Sequence, residues 1–305
     1  MNFSLETELG DLTLRNPIIL ASGTAGFGIE LAETVDLSKI GAIVTKTLTA
    51  SPREGNPPPR IWETECGMIN SIGLENPGID LFTKEIAQQL EDVDTKIVVS
   101  IGGENEEEFA ELAHKIDSIE HIAAIELNLS CPNVKRGGIQ FGQNPRLVEK
   151  VVLMVKKNTN KPIWAKLTPQ VSDIVEIAKA VEEGGASAVV VGNTIPAMAI
   201  DIWSGKPRLG AITGGLSGPA IHPVAVELVF KLHGKIGIPI IGCGGVTKPE
   251  DAVELMLAGA SAVQIGTATF IDHKLPEKTT NFIAKYLEKK SKTKIDQIIG
   301  QVIID

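Results

Sequence analysis

A few short strings in this 305-residue chain carry residues that could do chemistry. NLSCPN (128–133) sets Cys131 between Asn128 and Asn133, ahead of Lys135 and Arg136. An unperturbed thiol titrates at about 8.5, near enough to neutrality for Cys131 to act as a general base. The competing reading is a buried, inert cysteine, the commoner fate of a lone one, and Cys66 and Cys243 take that reading. Lys46 and Lys166 sit at the ends of otherwise apolar runs, where a buried ammonium needs an anionic partner or loses its proton. The edge of a reduced flavin, a substrate carboxylate or a structural ion pair would each serve. Asn70, Asn128, Asn133 and Asn193 offer planar donor–acceptor heads that match the alternating C=O and N–H edge of a cyclic imide or urea. Asparagine is also a common turn residue. GCGGV (242–246) and QIGTATF (264–270) bring glycine N–H groups together as a phosphate cradle, or else form ordinary tight turns. The five histidines have no metal-ligand spacing and are read as surface or packing residues, so no metal is expected.

These strings need elements to hold them, and the hydrophobic pattern supplies a regular set. Short β-branched runs at 17–21, 41–45, 96–100, 122–127, 162–167, 187–191, 238–242 and 261–265 have the continuous apolar character of parallel strands covered on their outer face. Amphipathic helical patterns between them include 79–91, 104–117, 144–158, 171–183, 219–233 and 249–258. The last has Pro249 near its first turn and Gly259 past its end. Eight strands in strict alternation favour an α/β fold of the closed (β/α)8 type, a TIM barrel, over an open doubly wound sheet. The opening segment alternates around Gly10-Asp11 and predicts a β-hairpin outside the eightfold repeat, a lid on the barrel floor. The proline-rich stretch 52–60 reads as an excursion within one βα loop, one of the insertions expected at the C-terminal face. No Ser/Gly/Pro linker divides the chain, so residues 1–305 are expected to form one domain. The unusual residues cluster just after the strands, on the edge where barrels carry their ligands.

Composition narrows the classes. Lys and Arg total 29 against 38 Asp and Glu, a net charge of −9. That balance disfavours nucleic acid and anionic membrane as partners, since both call for clustered basic residues. With 43% hydrophobic residues the chain has ample material for a core, and disorder is excluded. Three scattered cysteines make neither a disulfide framework nor a zinc or iron–sulfur site. The acidic start lacks the apolar run of a signal peptide. The uncharged stretches at 184–200 and 209–226 are interrupted by Gly, Pro, Asn and Thr, so a cytoplasmic protein is expected.

NPIILASGTAGFG (16–28), NSIGLENPG (70–78), ELNLSCPNVKRGGIQFG (126–142), NTIPAMAID (193–201), GGLSGPAI (214–221) and GCGGV (242–246) together resemble dihydroorotate dehydrogenase, and most closely the catalytic subunit of the NAD-linked class 1B type. The resemblance runs nearly end to end, in order and with the family's spacing. It implies an FMN-binding barrel that oxidises dihydroorotate to orotate in pyrimidine biosynthesis. The phosphate is expected on Gly244, Gly245, Gly266 and Thr267, with further flavin contacts from Ser22, Lys46, Thr47, Ser100, Asn128, Lys166, Gly192 and Gly218. Substrate contacts are expected from Lys46, Asn70, Ser71, Ile72, Gly73, Leu74, Asn128, Asn133, Asn193 and Thr194. Cys131 occupies the position of the family's base, with Lys46 beside it in catalysis. The type implies a homodimeric core within a heterotetramer, with FAD, a [2Fe-2S] cluster and the NAD site on a partner subunit. The residues agree: the chain has no four-cysteine set and no G-x-G-x-x-G after its first strand. The alternatives are a fumarate-using homodimeric dihydroorotate dehydrogenase and a related dihydropyrimidine oxidoreductase.

Overall fold

The computed structural model describes residues 3–32, 34–130, 132–133 and 139–304, with only the backbone described at 132, 133, 139 and 140. Its strands in chain order are β1 (Thr7–Leu9), β2 (Leu12–Leu14), β3 (Ile18–Leu20), β4 (Ala42–Val44), β5 (Ile61–Thr64) and β6 (Gly67–Asn70). Then come β7 (Lys96–Ile101), β8 (Ile122–Asn128), β9 (Pro132–Asn133), β10 (Ile139–Gln140) and β11 (Ile163–Leu167). The last are β12 (Ala188–Val191), β13 (Ile195–Ala197), β14 (Gly214–Ser217), β15 (Ile240–Cys243) and β16 (Ala262–Ile265). Eight of them (β3, β4, β7, β8, β11, β12, β15 and β16) form a closed parallel barrel in sequence order, with β16 returning to β3 through Val263↔Ile18. All eight coincide with the apolar runs of the sequence. Strands buried on both faces cannot alternate, so their signal is continuous apolarity.

The helices follow the punctuation in the sequence. The first, α1, spans 79–89, with a π-helical middle turn at Phe82–Ile86. Next, α2 (Glu106–Asp117) begins at Asn105, whose side chain accepts from Glu108 N, and three glutamates lie in its first turn, where the helix dipole favours them. Asn144 caps α3 (Pro145–Lys156) in the same way, and Asp173 caps α4 (Ile174–Glu183). They are followed by α5 (His222–Leu232), α6 (Pro249–Ala258) and α7 (Leu275–Lys289). Between β3 and β4 the described residues hold only a 3-10 turn at Leu37–Lys39, so the first crossover departs from regular alternation. None of the described helices is long and apolar enough to cross a membrane.

The barrel floor is closed by the N-terminal hairpin. Leu9, Leu12 and Leu14 pack with Ile19, Val44, Val98, Ala124, Trp164, Val190 and Ile241 in one buried cluster. Small residues on the strands, Ala42, Ala188 and Ala262, leave room for the three leucines. Burying a leucine contributes roughly 1.5–3 kcal/mol, so the hairpin is held by packing more than by its short ladder.

At the other end, two loop insertions meet. β5 and β6 come from the loop after β4, and β13 and β14 from the loop after β12. They pair as an antiparallel sheet ordered β13-β14-β6-β5, with Asn70 opposite Gly215 and Ile195 opposite Leu216. This sheet draws residues 70–74 and 193–194 together, although about 120 positions separate them in the chain.

Candidate active site

The C-terminal ends of the strands surround a cavity of about 540 Å³. Lys46 and Thr47 follow β4, Asn128 ends β8, Lys166 lies within β11, and Asn193 and Thr194 follow β12. Gly244 and Gly245 follow β15, and Gly266 and Thr267 follow β16. All of these line the cavity, together with Ser22, Asn70, Ser71, Ile72, Gly73, Leu74 and Gly218. Two expected contacts do not line it. Ser100 is fully buried and reaches the site only through Thr47, whose hydroxyl lies 2.9 Å from its own. Gly192 sits behind the wall, where an added Cβ would fall on the carbonyl oxygen of Cys243. Cys131, Lys135 and Arg136 lie outside the described residues, and Asn133 is described only as backbone paired with Ile139.

The rim carries a chain of hydroxyls and amides. Thr47 Oγ1 stands 3.3 Å from Ser22 Oγ and receives a hydrogen bond from Asn128 Nδ2 at 3.4 Å. Asn128 Oδ1 accepts from Ser130 Oγ at 2.5 Å, and Asn193 Nδ2 donates to the same Ser130 oxygen at 3.3 Å. Asn193 Oδ1 accepts from Thr194 N at 2.8 Å. Such a network fixes which amide atom faces which way, so the rim presents a set pattern of donors and acceptors. Ser130 was not singled out in the sequence, and it links two asparagines that were.

The glycine cradle shows two different uses of a missing side chain. Gly245 has φ +68°, and a Cβ there would lie 2.5 Å from His222 N at the start of α5. Gly266 has no such constraint: its nearest neighbour for an added Cβ is Ala21 Cβ at 3.5 Å. Gly266 lines the cavity, so the space it leaves is open to a ligand. Beside it, Thr267 Oγ1 donates to Ser217 Oγ at 2.7 Å. His222, expected among surface or packing residues, is buried and braces the cradle from behind. Its Nδ1 lies 3.1 Å from Gly244 O and its Nε2 lies 3.1 Å from Glu254 Oε2. With Asp251 it forms a His–Asp–Glu cluster whose ligand atoms lie within 4.8 Å of one another. There Asp251 Oδ2 is already engaged by Thr247 N, Thr247 Oγ1 and Lys248 N.

The cavity floor is charged. Lys166 Nζ donates to Gln264 Oε1 at 2.9 Å, and Gln264 Nε2 donates to Glu126 Oε2 at 2.6 Å. Burial works against the Lys166 ammonium, but the neighbouring Cys243 and Glu126 outweigh it and hold its pKa above the ordinary lysine value. Burial raises the Cys243 thiol, with Lys166 opposing. Cys243, read as an inert packing cysteine, lines the cavity, while Cys66 is exposed and far from a buried packing role. Glu126 and Gln264 also went unnoticed. Their signal was present: a carboxylate in IAAIEL and an amide in SAVQI, inside strands that are otherwise apolar. Lys46 is only half-buried and has no charged partner among the described residues. It stands between this cavity and an adjoining one of about 630 Å³ lined by Glu30, Arg53 and Glu75.

A parallel barrel with a glycine cradle, a charged floor and an amide-rich rim at its mouth defines a (β/α)8 enzyme scaffold suited to a phosphate-bearing cofactor and a small polar heterocycle. Residues 4–287 match the family model described as dihydroorotate dehydrogenase, and the chain belongs to that family. It is 47% identical over 302 residues to the catalytic subunit of dihydroorotate dehydrogenase B (NAD(+)) of Thermoanaerobacter pseudethanolicus, covering 99% of this chain and all of that one. The same subunit of Geotalea daltonii is 47% identical over 300 residues, 98% of each chain. A relative from Aquifex aeolicus, provisionally named dihydroorotate dehydrogenase A (fumarate), is 47% identical over 298 residues, 97% of each chain.

Proposed function

We propose that this chain, acting as one barrel domain in the cytoplasm, binds FMN and oxidises dihydroorotate to orotate as the catalytic subunit of an NAD-linked dihydroorotate dehydrogenase. The observation that carries this reading is the convergence of three residue sets on one cavity. Glycines 244, 245 and 266 with Thr267 suit a phosphate, Lys166 suits an edge that gains negative charge, and Lys46 with Asn70, Asn128 and Asn193 suits a carboxylated imide ring. Bound FMN supplies the two-electron acceptor that no side chain can provide.

The reaction removes a proton from C5 and a hydride from C6 of the substrate. Cys131 Sγ takes the C5 proton, on the strength of its place in the family's SCPN string. A positioned base contributes about 10²–10⁴-fold. Lys46 Nζ pairs with the substrate carboxylate, and the asparagine amides orient the ring through its alternating C=O and N–H groups. Ser71 to Leu74, with Thr194, cover the ring and exclude water. Asn133 completes the amide set. Ser22 and Thr47 hold the flavin side of the rim, while Ser100, Gly192 and Gly218 support the walls.

Electrons leave through a partner subunit carrying FAD and a [2Fe-2S] cluster, docked on a homodimeric core. Phe270, which lines the cavity, and Ile271 are 52% and 87% exposed and offer an apolar patch beside the mouth. The names of the two NAD-type relatives favour this acceptor. The name of the Aquifex relative favours a second reading, in which fumarate takes the electrons and no partner is needed.

The test is direct. The purified chain should be yellow with about one FMN, bleach on anaerobic addition of dihydroorotate, and reduce a dye but not NAD until the partner is added. Cys131→Ser should keep FMN yet bleach at least 100-fold more slowly at neutral pH. A colourless protein, or one indifferent to dihydroorotate, would refute the reading. Efficient fumarate reduction by the single chain would replace the NAD type with the second reading.

A further inference from the structure

We propose that Glu126 is a positioning residue that sets the redox poise of the cofactor site by acting as the fixed counter-charge to Lys166. The inference deepens the flavin reading above and rests on it.

Glu126 lies on β8 two residues before Asn128, so both side chains point to the same face of the strand. It is fully buried and is one of the residues that line the cavity. The link to Lys166 runs through Gln264, and its direction is forced by chemistry. An ammonium only donates and a carboxylate only accepts, so the bridging amide must turn its oxygen to Lys166 and its nitrogen to Glu126. Gln264 is itself buried, which leaves its two ends no alternative partner in solvent.

The direct contact is looser. Lys166 Nζ stands 3.8 Å from Glu126 Oε1, beyond hydrogen-bond reach, and Oε1 has no hydrogen-bond partner. Gln264 therefore acts as a spacer that stops the pair from closing. The ammonium has three N–H donors, of which Gln264 takes one and Cys243 competes for another, and the remaining one is left for a group in the cavity. The floor as built has no net charge. Negative charge arriving above it is attracted by Lys166 and opposed by Glu126, in surroundings whose effective dielectric constant is about 20. Lys166 alone would pull such a site strongly toward the reduced state. Glu126 holds it near a poise from which electrons can still leave.

The test uses the FMN-loaded protein and anaerobic equilibration with redox dyes. Glu126→Gln keeps the shape and removes the charge. It should retain FMN and shift the reduction equilibrium toward the reduced form at least tenfold, about 30 mV for two electrons. Glu126→Asp keeps the charge and should stay within about threefold of the parent. If the single neutral variant fails to fold, the double variant Glu126→Gln/Lys166→Met has no buried charge to strand. Mutual cancellation predicts a poise within about threefold of the parent for that double variant. An unshifted or lowered potential in FMN-bound Glu126→Gln overturns the inference and leaves the flavin reading intact. So does a double variant that shows a tenfold or greater loss, because Glu126 would then have offset nothing. A parent protein that binds no FMN overturns both.

Discussion

Two glycines of one cradle should respond in opposite ways to the same methyl group. At Gly245 the backbone is left-handed, φ +68°, which costs an L-residue roughly 1–2 kcal/mol. The added Cβ would also lie 2.5–2.7 Å from His222 N, Cβ and Cα. Overpacking of that kind adds about 1–3 kcal/mol. His222 cannot simply move aside, since its ring is tied to Gly244 O and Glu254 and its backbone begins α5. Gly245→Ala should therefore destabilise the flavin-free protein by about 2–5 kcal/mol, a Tm lower by roughly 5–15 °C. At Gly266 φ is −115° and ψ −106°, and beyond the adjoining residues no protein atom comes nearer than 3.5 Å to the new carbon. Flavin-free Gly266→Ala escapes the contact with His222 and should melt above Gly245→Ala. Its methyl instead occupies the ligand's space, so the FMN Kd should rise at least tenfold, about 1.4 kcal/mol. Thermal melts with and without flavin, and fluorescence titration with FMN, measure both quantities. Equal losses of flavin-free stability in the two variants, or parent-like FMN affinity in Gly266→Ala, would refute the division of labour.

Other consequences are as open to measurement. Leu14→Ala should lower unfolding free energy by about 2–5 kcal/mol in urea melts, because the hairpin plug cannot collapse into a closed barrel floor, and FMN affinity should be unchanged. Asp117 resists burial through hydrogen bonds from Thr159 Oγ1, Asn160 N and Asn160 Nδ2 and the charge of Lys161, and its pKa falls below the usual 3.8. A depressed carboxylate stabilises the fold above its unfolded pKa and ceases to do so as pH falls through its folded one. Asp117→Ala should thus melt below the parent at pH 7, and the gap should close as pH drops below 3.8; a gap that persists at pH 2 would exclude Asp117 as its source.

Much of this protein was legible in one dimension. Each of the eight barrel strands announces itself as an apolar run because a parallel strand is buried on both faces. The cap residues Asn105, Asn144 and Asp173 mark helix starts because the first N–H groups of any helix need local acceptors. The residues after the strands could be collected as one site because a closed parallel barrel sends all its C-terminal ends to the same rim. The fold around the rim was less accessible. Pairing of β6 with β14 joins segments about 145 positions apart, and short polar strands carry no marker of a partner so distant. Partnership on the cavity floor is of the same kind. Glu126, Lys166 and Gln264 lie on three different strands, and only closure of the barrel brings the amide of Gln264 within hydrogen-bond reach of both charged groups. Sequence determined which residues are chemically unusual, because type and local pattern are properties of the chain. Tertiary structure alone decided which of them face one another, because closing the barrel sets distances that spacing along the chain does not encode.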